Sequence, residues 1–123
     1  MTGVQTCALP IYPFTREASS VLSSAYMSLN FSESESFSLT CLEASHAGVS
    51  LIATRSGGPE EIVVDGETGY LVERGNIEAM SEKIKKLLEE PELNQRLGHN
   101  AALHVREKFS PELFVAELKS LLA

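Results

Sequence analysis

Apolar and polar positions repeat with two different periods along the middle of the chain. Residues 26–31 alternate as a strand does, and residues 49–54 form a short, nearly continuous apolar run. Between them, residues 37–47 carry apolar side chains at helical spacing, and Gly48 suits the position just past a helix end. This succession of strand, helix and strand predicts one βαβ unit.

The flanking segments extend this pattern in both directions. On the amino-terminal side, Thr15 is predicted to cap a helix over residues 15–25. On the other side, residues 57–61 form a turn with Pro59 at a first helical position, and its glycines are either a plain turn or ligand contacts. Residues 69–72 are predicted to be a third strand.

From Asn76 onward the chain is predicted to be entirely helical. Asn76 caps a first helix, Pro91 restarts the chain as a second helix, and Ser110 opens a last one. In the first of them, Glu82 and Lys86 have the spacing of an ion pair. The apolar stripes of these helices are assigned to the core, and they consist of Ile77, Met80, Ile84, Leu87, Leu88; Leu93, Leu97, Ala101, Val105, Phe109; and Leu113, Phe114, Leu118, Leu121, Leu122. The predicted class is α/β, with a short parallel sheet flanked by helices and a helical C-terminal tail.

Composition limits what the chain can be. Its 123 residues, 43% of them hydrophobic and 22% charged, suit one domain and not two lobes with a cleft between them. Seventeen acidic against ten basic side chains give a net charge of −7, which argues against nucleic-acid binding. The apolar runs are much shorter than the roughly 20 residues of a membrane helix, so no transmembrane segment is expected.

The cysteines and histidines form no spacing typical of a metal or redox site. Cys41 is predicted to be a small core residue because no partner base is apparent, and His46 is predicted to cap or pack near a helix end. We therefore expect no metal site, and we expect a reducing, cytoplasmic location.

The first eleven residues, MTGVQTCALPI, differ in character from the rest. They carry no charge and no apolar periodicity, and they lack the basic and apolar parts of a signal peptide. They resemble the translation of a sequencing adapter. We therefore expect residues 1–11, including Cys7, to be non-native and residues 12–123 to form the domain, the alternative being an ordinary disordered N-terminus.

The segment around residues 32–44 is the best candidate for a binding site. It joins a strand end, a polar loop and a helix start, which is where ligands bind in a doubly wound sheet. Free N–H groups of the helix start can hold an anion. Glu35 lies before those groups and Glu43 lies beyond them, and both carboxylates can accept hydrogen bonds from sugar hydroxyls. The alternative is a solvated loop with a surface acid.

These residues also carry a resemblance to a known family. Glu35 and Glu43 with seven residues between them resemble the E-x7-E motif of retaining group 1 glycosyltransferases, called glycosyltransferase family 4, of the GT-B type. Further segments agree in order, namely residues 49–54 as a strand, 57–60 as the loop after it, 65–72 as a D-G-x-x-G-x-L-V segment, and 109–110 in the helical tail. The resemblance covers residues 15–122 and implies the Rossmann-like C-terminal, donor-binding half of such an enzyme.

The resemblance implies a role for each matching residue. Glu35, the catalytic residue of the set, would contact the donor sugar, the loop and turn that follow would hold the diphosphate, and Glu43 would bind the ribose hydroxyls. The donor-binding set is Glu35, Ser36, Phe37, Ser38, Leu39, Thr40 and Glu43. The resemblance further implies a nucleoside-diphosphate sugar donor and no metal or cofactor. It also implies that a hexose is transferred with retention to an acceptor sugar or lipid bound by an N-terminal lobe.

The chain departs from the family pattern at several positions, and rival functions are compatible with its sequence. Ser36 and Ser38 stand where the family often has glycine, and the arginine and lysine that relatives place against the diphosphate lie upstream of the matching region. Arg55 is a further candidate for the donor phosphate. The rivals are a sugar-nucleotide epimerase of the same architecture and a non-catalytic nucleotide-sugar-binding module. We expect the chain alone to be inactive, its last helix to expose an apolar patch, and the parent to lie in the cytoplasm or at the inner membrane face.

Overall fold

The computed structural model describes residues 13–123 in full and, before them, the backbone of two short strands. These are β1 (Val4–Thr6) and β2 (Leu9–Ile11), which pair antiparallel with Val4 opposite Ile11. Cys7 lies outside the described residues. The expectation that residues 1–11 are non-native stays a prediction.

The rest of the chain alternates strands and helices and then becomes helical. Three parallel strands form one sheet in the order β3-β4-β5, with Met27 opposite Ser50 and Ile52 opposite Tyr70. The predicted α/β class and its short parallel sheet are confirmed. The elements are α1 (Ala18–Ser23), β3 (Met27–Asn30), α2 (Leu39–His46), β4 (Ser50–Thr54), α3 (Pro59–Ile62), β5 (Tyr70–Val72), α4 (Ile77–Glu89), α5 (Pro91–Lys108) and α6 (Pro111–Leu122).

The central strand β4 is buried along its whole length and separates two halves of the core. Leu51 and Ala53 point to one side and Ile52 to the other, because successive side chains of a strand face opposite ways. The first half of the core adds Cys41, Ile62, Val63, Leu71 and Val105, and the second adds Tyr70, Val72, Leu87 and Leu97. Helix α5 therefore contributes to both halves.

Most of the predicted helix ends are confirmed. The Asn76 side chain accepts a hydrogen bond from Ala79 N at 3.0 Å, and Ser110 Oγ accepts one from Leu113 N at 3.1 Å. Pro59, Pro91 and Pro111 each begin a helix, and Gly48 follows α2 with φ +77°. These caps satisfy donors that a helix start otherwise leaves without partners.

Two local predictions were wrong. Thr15 does not cap α1, because its hydroxyl accepts from Glu17 N at 2.9 Å and closes a turn that ends before the helix begins at Ala18. Lys86 pairs with Glu90, at 3.2 Å, and not with Glu82. A lysine in a helix can reach an acid four residues away in either direction, so its spacing alone does not choose between them.

The apolar stripes assigned to the core are buried only in part. In α5, Leu97, Ala101 and Val105 are buried, but in α4 Ile77 is 73% exposed. The whole of α6 is exposed, including Phe114 and Leu121, because no described element covers it. The expected apolar patch on the last helix is therefore present, and the assignment of its stripe to the core was wrong. Within residues 13–123, no helix is both long enough and apolar enough to cross a membrane.

Candidate functional site

The loop over residues 31–38 follows β3 and is fastened to the loop that follows β4. The Thr54 hydroxyl, at the end of β4, donates to the Ser32 carbonyl at 2.6 Å. Glu35 N donates to the Ser56 carbonyl, and Gly58 N donates to the Glu35 carbonyl, both at 2.9 Å. These bonds fix the backbone of Glu35 beside the carboxyl end of the sheet, where parallel sheets bind ligands.

Gly57 and Gly58 allow the two loops to come this close. A Cβ atom at Gly57 would lie 2.5 Å from the Glu35 carbonyl oxygen, and one at Gly58 would lie 2.3 Å from the Phe37 carbonyl carbon. Any larger residue would push the loops apart. The structure therefore gives this glycine pair a packing role under the candidate site.

The carboxylate of Glu35 lies among polar side chains and is only half-buried. Ser32 Oγ lies 3.1 Å from its Oε1, and Asn30 Nδ2 lies 3.4 Å from each of its oxygens. The Ser38 hydroxyl has the largest effect in lowering the pKa of this carboxyl, partial burial opposes it, and Asn30 and Ser32 lower it further. Glu35 is therefore ionised at neutral pH and can only accept hydrogen bonds.

The start of α2 offers free backbone donors next to this carboxylate. Ser38 has φ +77°, and its Oγ accepts from Cys41 N at 3.3 Å, so one of the first N–H groups of the helix is used internally. Within residues 13–123, neither Leu39 N nor Thr40 N donates a hydrogen bond to a protein acceptor. Two amides thus remain available for an anion at this helix end.

The other members of the predicted set differ in what they expose. Phe37 turns its ring inward, edge-to-face against Phe109 with a centroid distance of 5.6 Å, so only its backbone can meet a ligand. Ser36 is exposed, and Leu39 is 65% exposed. The side chains of Ser38 and Thr40 face Asn30, which lies 3.1 Å and 3.0 Å from their hydroxyl oxygens.

Glu43 lies apart from Glu35, one turn along α2. It is exposed and lines a groove of about 660 Å³ between α1 and α2, together with Arg16, Leu22 and His46. Glu35 does not line this groove. The structure therefore brings Glu35, Ser38 and Thr40 together, and it places Glu43 on a neighbouring surface.

Arg55 and Cys41 have protein partners of their own. Arg55 forms ion pairs with Asp65 at 3.4 Å and with Glu73 at 3.2 Å, so its charge is already shared between two carboxylates. Cys41 is fully buried, and burial raises the pKa of its thiol, which confirms it as a core residue.

Within the fully described part of the chain, no three His, Cys, Asp or Glu side chains are grouped as a metal ion would need.

Sequence reasoning did not single out Asn30, although its side chain contacts more of the site than any predicted residue does. Its amide nitrogen lies within hydrogen-bond distance of Glu35, Ser38, Thr40 and Cys41, and its Oδ1 accepts from Ser32 Oγ at 2.7 Å. A signal was present, because Asn30 is a polar residue at the carboxyl end of a strand.

Comparison with known proteins identifies the family. The family described as "Glycosyl transferases group 1" matches residues 11–104. The chain belongs to this family. It is 39% identical over 87 residues to the capsular polysaccharide biosynthesis glycosyltransferase CapM of Staphylococcus aureus, covering 71% of this chain and 23% of CapM. It is 37% identical over 101 residues to N-acetyl-alpha-D-glucosaminyl L-malate synthase of Bacillus anthracis, covering 82% and 26%. The chain thus spans about a quarter of the length of these curated relatives.

Solved structures agree with this group 1 glycosyltransferase assignment. The C-terminal domain of the group 1 protein LpcC from Francisella tularensis has a TM-score of 0.75 at 28% identity, covering 85% of this chain and 53% of that one. TarM has a TM-score of 0.83 at 26% identity, covering 90% and 22%. These likenesses confirm the expected fold, the Rossmann-like C-terminal domain of a GT-B glycosyltransferase.

Proposed function

We propose that this group 1 glycosyltransferase chain binds a nucleoside-diphosphate sugar, from which the complete enzyme transfers a hexose with retention of configuration. The observation that carries the proposal is the position of the ionised Glu35 carboxylate beside the free amides of Leu39 and Thr40. One ligand that needs both an anion site and hydroxyl acceptors is a sugar joined to a diphosphate.

The diphosphate would lie at the start of α2. The two free N–H groups can donate to phosphate oxygens, and the positive end of the helix dipole favours their negative charge. The anion would also be close to Ser36 and to the hydroxyl of Thr40, which are exposed. Because this chain is acidic, with a net charge of −7, basic groups elsewhere in the enzyme would have to offset the donor charge.

Glu35 would act on the sugar and Glu43 on the ribose. The Glu35 carboxylate can accept hydrogen bonds from the sugar hydroxyls next to the bond that breaks, which holds the anomeric carbon in place for the acceptor. Glu43 lies about 6 Å further along α2, at 1.5 Å per residue from Leu39, and its groove beside α1 has room for a nucleoside. We propose that neither role uses a metal or another cofactor.

Relatives make a nucleotide-sugar donor reasonable. A TarM variant, 27% identical to this chain, was solved in complex with UDP, and HepE of Anabaena, which shares the fold at 19% identity, was solved with UDP-glucose. The chain spans about a quarter of the length of its curated relatives CapM and N-acetyl-alpha-D-glucosaminyl L-malate synthase. The rest of the complete enzyme would therefore bind the acceptor, a sugar or a lipid.

The proposal is tested with the complete enzyme that contains this chain. UDP-glucose, UDP-N-acetylglucosamine, GDP-mannose and ADP-glucose are each titrated by calorimetry and then offered with a panel of sugar and lipid acceptors. We expect one donor to bind and its sugar to be transferred, with the new linkage having the anomeric configuration of the donor by NMR. Formation of an epimer of the donor, or binding of none of the four, would contradict the proposal.

Substitution of the second glutamate gives a sharper test. Glu43→Ala is expected to weaken donor binding about ten- to a hundredfold, because a hydrogen bond to a charged group contributes roughly 1.5 to 3 kcal/mol. Glu82→Ala is the matched control, since Glu82 is also an exposed helical glutamate but lies on α4, away from the site. Equal donor affinity in the two variants would remove Glu43 from the site.

A further inference from the structure

We propose that Asn30 is a positioning residue for donor recognition, which holds Glu35 and the start of α2 in one arrangement. The inference rests on the proposed function, because it assigns Asn30 to the same donor site. Asn30 belongs to β3 and is paired with Ala53 of the buried strand β4, whereas Glu35 lies on a loop. The Asn30 side chain therefore links a fixed strand to the residues that would meet the donor.

The amide nitrogen of Asn30 has more acceptors around it than hydrogens to give. Its two N–H groups face Thr40 Oγ1 at 3.0 Å, Ser38 Oγ at 3.1 Å and Cys41 Sγ at 3.3 Å, and both Glu35 oxygens at 3.4 Å. Because the shorter distances lead to the two hydroxyls, these take most of the hydrogen bonding. The Glu35 carboxylate is attracted by the amide while most of its capacity to accept stays free for a ligand.

The other end of the Asn30 side chain completes the arrangement. Its Oδ1 accepts from Ser32 Oγ at 2.7 Å, and the same serine hydroxyl lies 3.1 Å from Glu35 Oε1. The single Ser32 proton is therefore shared between two acceptors, with the shorter distance to Asn30, and the amide nitrogen is the group of Asn30 that can donate to Glu35. Loss of the amide would allow the Glu35 carboxylate to rotate. Donor binding would then have to pay the entropy cost of fixing this side chain, which would weaken the affinity.

Three charged or titratable side chains on the elements around Asn30 bear on a pH response at this position. Cys41 of α2 lies next to Asn30, Glu60 of α3 accepts from Gly57 N at 2.9 Å, and Arg74, after β5, donates to the Glu33 carbonyl at 2.9 Å. Cys41 is buried and its thiol pKa is raised, so it stays neutral through the weakly acidic range. A pH response introduced at position 30 would therefore be assigned to the pair formed with Glu35.

The test compares Asn30→Leu and Asn30→Asp with Asn100→Leu in the complete enzyme. Asn100 is the matched control because its amide donates to the Glu67 carbonyl, away from the site. Calorimetry measures affinity for the nucleotide sugar that binds the wild type and for the corresponding nucleoside diphosphate. We expect Asn30→Leu to weaken sugar-nucleotide binding about tenfold and to weaken diphosphate binding clearly less, because both ligands would use the start of α2 but only the sugar nucleotide would use Glu35.

Asn30→Asp provides a readout that a purely structural role would not change. At about pH 8 two carboxylates would repel each other and donor binding should fall about tenfold, whereas at about pH 5.5 a proton shared by the pair should restore most of it. The wild type and Asn100→Leu should show no such recovery. This isosteric variant also keeps the test informative if Asn30→Leu fails to fold.

The outcomes separate this inference from the function on which it rests. A wild-type enzyme that binds none of the nucleotide sugars overturns the proposed function. A wild type that binds one, with Asn30 variants that bind it equally well, overturns only the role of Asn30. The inference would also be overturned if Asn30→Leu weakened binding of the nucleotide sugar and of the diphosphate equally and Asn30→Asp showed no recovery at low pH. Asn30 would then support α2 without positioning Glu35.

Discussion

The polar groups at the two ends of the parallel sheet differ in their burial and in their hydrogen bonding to protein. At the amino-terminal end, buried Asn94 of α5 accepts from the Ser50 hydroxyl and donates to the Tyr26 carbonyl at 2.9 Å. At the carboxyl end, Asn30 and Glu35 are only half-buried, and two amides of α2 have no protein acceptor. At the amino-terminal end, the closed end, protein partners satisfy the buried polar groups. At the carboxyl end, the open end, polar groups stay accessible to a ligand. The closed end should therefore respond to mutation in stability, and the open end in ligand binding.

The largest loss of stability is expected at the closed end, for Gly98→Ala. A Cβ atom there would lie 2.2 Å from the Gly48 carbonyl oxygen, so α5 would have to move away from the turn before β4. We expect the free energy of unfolding, measured with urea, to fall by about 3 kcal/mol. Gly75→Ala is the control, because its added methyl meets nothing within 4 Å and only the positive φ of +75° is penalised, by about 1 kcal/mol. Similar losses in both would refute the close contact.

Asn94→Leu should have the next largest effect. The substitution leaves the Ser50 hydroxyl and the Tyr26 carbonyl without their buried partner, which should cost about 2 kcal/mol of unfolding free energy. Asn100→Leu removes one exposed hydrogen bond and should cost less than about 0.5 kcal/mol. If thermal and urea unfolding show equal stability for the two variants, the closed end is not held by Asn94.

Ser38 lies at the open end and is expected to make a small contribution to stability. Ser38→Ala removes the hydroxyl that caps α2 but keeps the positive φ, so it should destabilise the chain by about 1 kcal/mol. Ser38→Gly also removes the cap but relieves the left-handed backbone, and its stability should stay within about 0.5 kcal/mol of wild type. The order of the two variants in urea unfolding is the result to check, and a less stable glycine variant would contradict this account.

The smallest expected effect is the pH dependence that Glu35 contributes. Its folded-state pKa is lowered, so the stabilisation is present above the unfolded pKa and is lost as the pH falls through the folded one. Solvent screening should keep it below about 0.5 kcal/mol. Comparison of wild type with Glu35→Gln between about pH 7 and pH 3 should show the wild type losing slightly more stability on acidification. A larger loss in the glutamine variant would reverse the sign and contradict the assigned pKa.

The fold was largely predictable because it depends on repeated local signals. Alternating residues 26–31, the buried run at 49–54 and the caps at Asn76 and Ser110 each specify their element through near neighbours. An exposed patch on the last helix was expected, but the exposure of Ile77 and of α6 over its whole length was harder to predict, since helical spacing shows which residues share a face but not whether another element covers it.

The candidate site was predictable only in part, for a related reason. The spacing of Glu35 and Glu43 could be read directly from the chain. The contacts of Asn30 with Ser38 and Thr40 join residues eight and ten positions apart, and they form only because β3 and α2 meet at the loop. The approach of Gly58 to Phe37 joins two loops from different strands. Such contacts depend on tertiary packing, which a single sequence does not display.

The exposure of α6 along its entire length has a consequence for how the molecule comes apart. An isolated helix of 12 residues is marginal in water, so α6 is held mainly by its proline start and its Ser110 cap. Its amide hydrogens should exchange with solvent far sooner than those of β4, and a protease should cleave there first. The terminal helix can thus unravel as a separate unit while the sheet and its loops stay folded.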